Sequence, residues 1–209
     1  MCGRITLLTY DELEEVLEAV KIRQRVRFTY AISREQARPG SELRAIAHTA
    51  GKLELAPFTW GFSFPGSKKL IFNTRIESAL DGTRMWTKPI REGRCVLPVA
   101  TFFEPHGSET SISPRTGKTI KRQYEFASTD GTPLLLAGVQ REGRLSVVTT
   151  EPNRSVSAVH PRMPLVLRFE EVSDWLGDAY ASLADRFQVE LVARPENDVE
   201  QGPAQLSLF

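Results

Sequence analysis

From Arg27 to Thr150 the chain keeps returning to one pattern: five to nine residues rich in apolar and β-branched side chains, then a cut by Gly, Pro or Asp. Arg27–Ile32, Leu43–His48, Leu53–Trp60, Cys95–Phe103, Gln123–Ala127, Leu134–Gln140 and Leu145–Thr150 are the runs. Pro39-Gly40, Ala50-Gly51 and Thr129-Asp130-Gly131 are among the cuts. Runs this short, joined by links this short, read as strands in antiparallel hairpins. Arg4–Leu8 reads as one more strand. Helical signals are few. Thr9 and Glu12 match a capping box, and Leu13, Val16, Leu17 and Val20 follow at i, i+3, i+4 and i+7, one apolar helical face. Ser155–Val159 and Glu170–Leu176 are short helix candidates. The fold expected is therefore α+β: a single domain built on a mostly antiparallel, barrel-like sheet with a few flanking helices, over residues 2–194. From Pro195 the chain turns polar, through Glu196, Asn197, Asp198, Glu200, Gln201 and Gly202, and residues 195–209 read as a flexible tail.

At 209 residues the length suits one domain. Lys and Arg number 27 against 26 Asp and Glu, so no global field draws the protein onto a polyanion, and any such binding must come from a local cluster. No basic-then-apolar leader and no apolar run of about 20 residues occurs, which points to the cytoplasm. There Cys2 and Cys95 are expected to stay reduced. Two cysteines and the scattered His48, His106 and His160 match no metal-ligand spacing, so neither a metal nor an organic cofactor is expected.

Cys2 is the first residue with distinctive chemistry. Initiator methionine is generally removed before a small residue, and removal here leaves an α-amine and a thiol on adjacent carbons. An α-amine with a pKa near ~7.7 is about one-sixth neutral at pH 7, roughly 400-fold more than a lysine. Such an amine condenses with aldehydes, and the neighbouring thiol can close the imine into a thiazolidine. Read alone, Cys2 is equally well a small residue at an N-terminus.

Four motifs occur in order: Met1-Cys2-Gly3-Arg4; Asn73-Thr74-Arg75-Ile76-Glu77-Ser78; Arg94-Cys95-Val96-Leu97-Pro98 leading to Phe103-Glu104; and His160-Pro161-Arg162-Met163-Pro164. Ala37-Arg38-Pro39-Gly40, Trp60-Gly61, Leu136-Ala137-Gly138 and Trp175 accompany them. Together they resemble the SOS-response-associated peptidase (SRAP) family, whose members shield abasic sites in single-stranded DNA. The resemblance runs from Cys2 to about Leu176. It implies a covalent thiazolidine between Cys2 and the ring-opened sugar aldehyde of the abasic site. Asn73, Glu104 and His160 then fall where supporting catalytic residues belong. Glu104 would relay protons at the amine, His160 would protonate the sugar ring oxygen, and Asn73 would position the sugar or the amine. Arg4, Arg75, Arg84 and Arg162 fall where guanidinium forks would hold the flanking phosphates. Trp60, Phe62, Phe64 and Trp86 are open to two readings, stacking on bases or core packing. A DNA-bound monomer associated with the nucleoid is the expected form. Where the family commonly has an aromatic after the Glu and an Asp after the His, this chain has Pro105 and Pro161.

The last residues, Gln205-Leu206-Ser207-Leu208-Phe209, resemble the pentapeptide with which bacterial polymerases and repair proteins bind the sliding clamp. Leu208 and Phe209 would fill an apolar pocket, Leu206 a second site, and Gln205 would set the register. Two other functions fit the same residues: a thiol peptidase or autopeptidase using Cys2 with His160 as base, and a noncatalytic single-strand-binding module recruited by the clamp.

Overall fold

The computed structural model describes residues 2–22, 34–64, 66–67, 69–113, 116–184 and 189–196. The expected strand Arg27–Ile32 and the pentapeptide Gln205–Phe209 lie outside the described residues. The chain runs β1 (Ile5–Thr6), α1 (Tyr10–Ala19), β2 (Gln36–Ala37), β3 (Glu42–Thr49), β4 (Lys52–Trp60), β5 (Asn73–Arg75), α2 (Ile76–Leu80), α3 (Arg84–Glu92) and β6 (Arg94–Val99). It continues with β7 (Thr101–Ile112), β8 (Thr119–Ser128), β9 (Leu134–Arg141), β10 (Arg144–Thr150), α4 (Arg154–Ser157), β11 (Met163–Pro164), β12 (Val166–Leu167), α5 (Val172–Leu176) and β13 (Leu191–Pro195). This is the mixed α+β, mostly antiparallel architecture expected from the turn spacing. Among the described residues no helix is long and apolar enough to cross a membrane.

Two sheets share the work. In the larger, β4 pairs with β3, β3 with β6, β6 with β9 and β9 with β10, all antiparallel. β10 then returns to β4 in parallel, at Arg144–Thr59 and Leu145–Trp60, closing the strands into a ring. Closure leaves those strands without a free edge. Their side chains alternate between two apolar clusters because successive residues face opposite sides of a strand. Ala45, Ala47, Cys95, Leu97, Leu136, Leu145 and Val147 enter one. Ile46, Val96, Leu135, Ala137, Val139 and Val148 enter the other, together with Val16 and Leu17 of α1, Trp86 and Ile90 of α3 and Trp175 of α5. The second sheet has the order β13-β8-β7-β1-β2 and lays Ile5, Phe102 and Phe126 into the first cluster. Phe102 and Phe126 stack with ring centroids 5.0 Å apart.

Local chemistry sets the helix ends. The capping box forms as expected: the Glu12 N–H donates to Thr9 Oγ1 at 3.4 Å, and the Thr9 N–H donates to Glu12 Oε2 at 2.8 Å. Helices α2 and α3 escape the pattern reading, since Asp81-Gly82 and Pro89 look like punctuation. α5 is fastened to the ring by Arg94 of β6, whose Nε donates to Trp175 O at 2.7 Å and whose Nη2 donates to Gly177 O at 2.9 Å. The Trp175 indole N–H in turn donates to Cys95 O at 2.9 Å. Gly93, between α3 and β6, has an ordinary φ of −124°, so its need for glycine is purely steric. A Cβ there would sit 2.1 Å from Gln140 O. Gly93→Ala is expected to lower stability by about 3 kcal/mol, through a strand forced off its partner, read as a lower urea midpoint at unchanged slope.

Candidate active site

The first residues are held as a strand extension. β1 pairs antiparallel with β7, Ile5 opposite Phe102, and the Phe103 N–H donates to Arg4 O at 3.0 Å, carrying the ladder toward Cys2. Cys2 is fully buried. Its thiol donates weakly to Arg4 O at 3.9 Å. Burial, reinforced by the negative charge of Glu104, pushes the Cys2 thiol well above its ordinary pKa.

Asn73 opens β5, which lies parallel to β10 with Asn73 opposite Val147. This placement turns its amide onto the N-terminal strand: Asn73 Nδ2 donates to Cys2 O at 2.9 Å. The other amide atom, Asn73 Oδ1, is buried and has no hydrogen-bond partner among the described residues. Behind it Thr74 Oγ1 donates to Ser146 Oγ at 2.8 Å, tying β5 to β10 through two buried hydroxyls.

Glu104 lies on β7 opposite Tyr124 of β8 and is wholly inaccessible to solvent. Burial pushes its carboxyl up to about 7. Pro105 follows at the point where the β7–β8 register breaks, before Thr110 resumes pairing with Lys121. A residue without an N–H is tolerated there because a bulge asks for one fewer ladder bond.

His160 reaches Glu104 from the loop after α4, Nδ1 to Oε2 at 3.7 Å. The same Nδ1 lies 2.8 Å from Arg162 O. Burial lowers the His160 pKa below the ordinary imidazole value, so the ring is mostly neutral at pH 7. Gly107 of the bulge donates its N–H to Val159 O at 2.9 Å, which keeps this loop against β7.

Thus four residues far apart in the chain (Cys2, Asn73, Glu104 and His160) meet in one place. The four expected arginines do not behave alike. Arg75 and Arg84 are exposed. Arg162 is bidentate to Glu77, Nη1 to Oε1 at 2.8 Å and Nη2 to Oε2 at 2.9 Å, and also donates to Thr149 O. Arg4 is almost completely buried and bidentate to Glu196, both bonds 2.7 Å long, with its guanidinium 3.8 Å above the Phe103 ring. Glu77 and Glu196 were not singled out in sequence. Glu77 sits inside the quoted Asn73–Ser78 motif, which was the available signal, whereas Glu196 reads only as one acid in a polar stretch. Pro195 and Glu196, read as the start of the tail, still belong to the sheet: Pro195 pairs with Tyr124, and the Glu196 N–H donates to Gln123 O at 2.8 Å.

The aromatics resolve toward packing. Trp60, Phe62 and Trp86 are buried, Trp60 donating to Phe72 O at 3.0 Å and Phe62 meeting Trp86 edge to face at 5.6 Å. Phe64 is partly buried against the same core.

The chain is 26% identical over 191 residues to the abasic site processing protein YoqW of Bacillus subtilis strain 168, covering 84% of this chain and 80% of the relative. To YoaM of the same organism, also named an abasic site processing protein, it is 27% identical over 216 aligned positions, covering 96% and 89%. The fold superposes on a phage-related protein from Bordetella bronchiseptica with a TM-score of 0.71 at 21% identity, over 94% of this chain and 95% of that one. The profile of the SOS response associated peptidase family matches residues 1–203, and this chain belongs to that family.

Proposed function

We propose that this protein processes abasic sites in single-stranded DNA by linking itself to them through Cys2. The observation that carries this reading is the burial of Cys2 among Asn73, Glu104 and His160, directly behind the initiator methionine. The names of the relatives point to the same lesion.

Removal of Met1 frees the Cys2 amine. Its nitrogen attacks C1′ of the ring-opened sugar, the carbinolamine loses water, and the thiol adds across the resulting C=N bond. The thiol proton passes to nitrogen, and the net change is one aldehyde plus one aminothiol giving one thiazolidine and one water. Asn73 holds the Cys2 carbonyl, so the nucleophile does not swing away, and its unpartnered Oδ1 is an acceptor for the amine or a sugar hydroxyl. With a carboxyl near 7, Glu104 is the group that both gives and takes a proton at neutral pH. His160, lowered by burial, is better suited to accept the hemiacetal proton than to donate to the ring oxygen, the role first expected of it. Arg75, Arg84 and Arg162 supply cationic edges for the flanking phosphates.

The thiol-peptidase alternative needs a thiolate. Burial and the Glu104 charge both oppose ionisation of Cys2, the reverse of an activated nucleophile. The C-terminal pentapeptide supports a role beside the sliding clamp at replication forks, with the clamp as partner of the tail.

Mass spectrometry tests the chemistry directly. Purified protein is expected to lack Met1. Its conjugate with an abasic oligonucleotide is expected to weigh the sum of the two minus one water, with the bond mapped to residue 2. A bond mapped elsewhere, or no conjugate, overturns the proposal.

A further inference from the structure

Resting on the reading of the Cys2 pocket as a DNA site, we infer that Glu196 is a resident stand-in for a DNA phosphate on the Arg4 fork. The DNA strand must displace it to engage Arg4.

The geometry is that of an occupied anion site. Arg4 Nη1 and Nη2 each donate to one Glu196 oxygen at 2.7 Å, the parallel two-bond arrangement a guanidinium also makes with phosphate. The fork is aimed by its surroundings rather than by Glu196 alone. The guanidinium rests on the Phe103 ring at 3.8 Å, and Nη1 lies 3.5 Å from Gln36 Oε1. The Arg4 carbonyl accepts from both the Phe103 N–H and the Cys2 thiol, so the residue that carries the fork is itself fixed beside Cys2.

The two partners differ in what holds them. The Arg4 side chain is only 10% exposed, whereas that of Glu196 is 43% exposed. Glu196 stands one residue past the end of β13 and is anchored by its main chain to Gln123 O. Its carboxylate can therefore rotate into solvent while the strand stays paired. The carboxylate keeps this open route to water on its exposed side, and a phosphodiester brings the same charge to the same fork. In a protein with net charge of only +1, withholding one of the few built cationic forks from indiscriminate anions lowers affinity for undamaged strands.

The experiment uses full-length Cys2→Ala protein and a fluorescent, lesion-free single-stranded oligonucleotide, so that no covalent step contributes. Glu196→Gln is expected to tighten binding about five- to tenfold at fixed salt. The same change in an Arg4→Gln background is expected to give at most the roughly twofold gain of removing one distant negative charge. A tightening that persists in the Arg4→Gln background, unchanged affinity, or weaker binding each overturns the inference. If Glu196→Gln fails while Cys2 still forms its adduct with abasic DNA, the inference falls and the proposed function stands. If the protein neither binds the strand nor forms an adduct, both fall.

Discussion

Cys2→Ala protein is expected to form no stable adduct with abasic single-stranded DNA, a loss of at least about 100-fold in yield on a denaturing gel. In the proposed mechanism the wild-type residue makes two bonds in sequence, and the variant keeps only the first. Alanine is as small as cysteine at position 2, so removal of Met1 is expected for the variant too, leaving its α-amine free. The imine therefore still forms, but nothing closes it, and it returns to aldehyde and amine when the sample is denatured. Borohydride added during the reaction is expected to restore a band at wild-type mobility, because it reduces the imine to an amine that cannot hydrolyse. A stable band from the alanine variant without reductant would place the bond on another group. The variant is not expected to unfold, since loss of one buried sulfur atom costs about 1 kcal/mol.

Glu104→Gln should move stability and activity in opposite directions. The carboxyl is buried and titrates near 7 in the fold, against 4.5 for an ordinary glutamate. Between those values the folded chain holds a proton that the unfolded chain has released, so wild-type stability falls as pH rises through that window. The loss amounts to at most about 3 kcal/mol, complete above pH ~8 and absent below pH ~4. The Glu104→Gln protein is therefore expected to be more stable than wild type at pH 8, by about 2 kcal/mol in urea, and indistinguishable from it at pH ~4. Adduct formation at pH 7 is expected to slow by about 100-fold, since the amide neither gives nor takes the proton. Equal stability at pH 8 would mean that the carboxylate is well solvated or paired in the fold.

The strands of the ring and the cap of α1 were legible in sequence because their signals are local: alternation, turn dipeptides and the Thr9–Glu12 pair. The buried face of α3 was also written locally, as Trp86, Pro89 and Ile90 at i, i+3 and i+4, but Pro89 inside the segment masks it. β5 is three residues long and pairs in parallel with β10 more than seventy positions away, so no local pattern marks it. Asn73, Glu104 and His160 were reached through family resemblance; by residue type alone each looks like ordinary loop or strand-end chemistry. Arg4 and Arg162 read as free cations because their carboxylate partners arrive by tertiary register, from Glu196 and Glu77.

The hairpin of β7 and β8 carries β1 along one side and β13 along the other. The first and the last of the strands are thus sewn to a common seam, with Arg4 and Glu196 as a stitch between them. Loosening the β7–β8 hairpin would unmoor both strands in a single event, so a disturbance at β13 would be felt at Cys2 without touching the ring of strands at all.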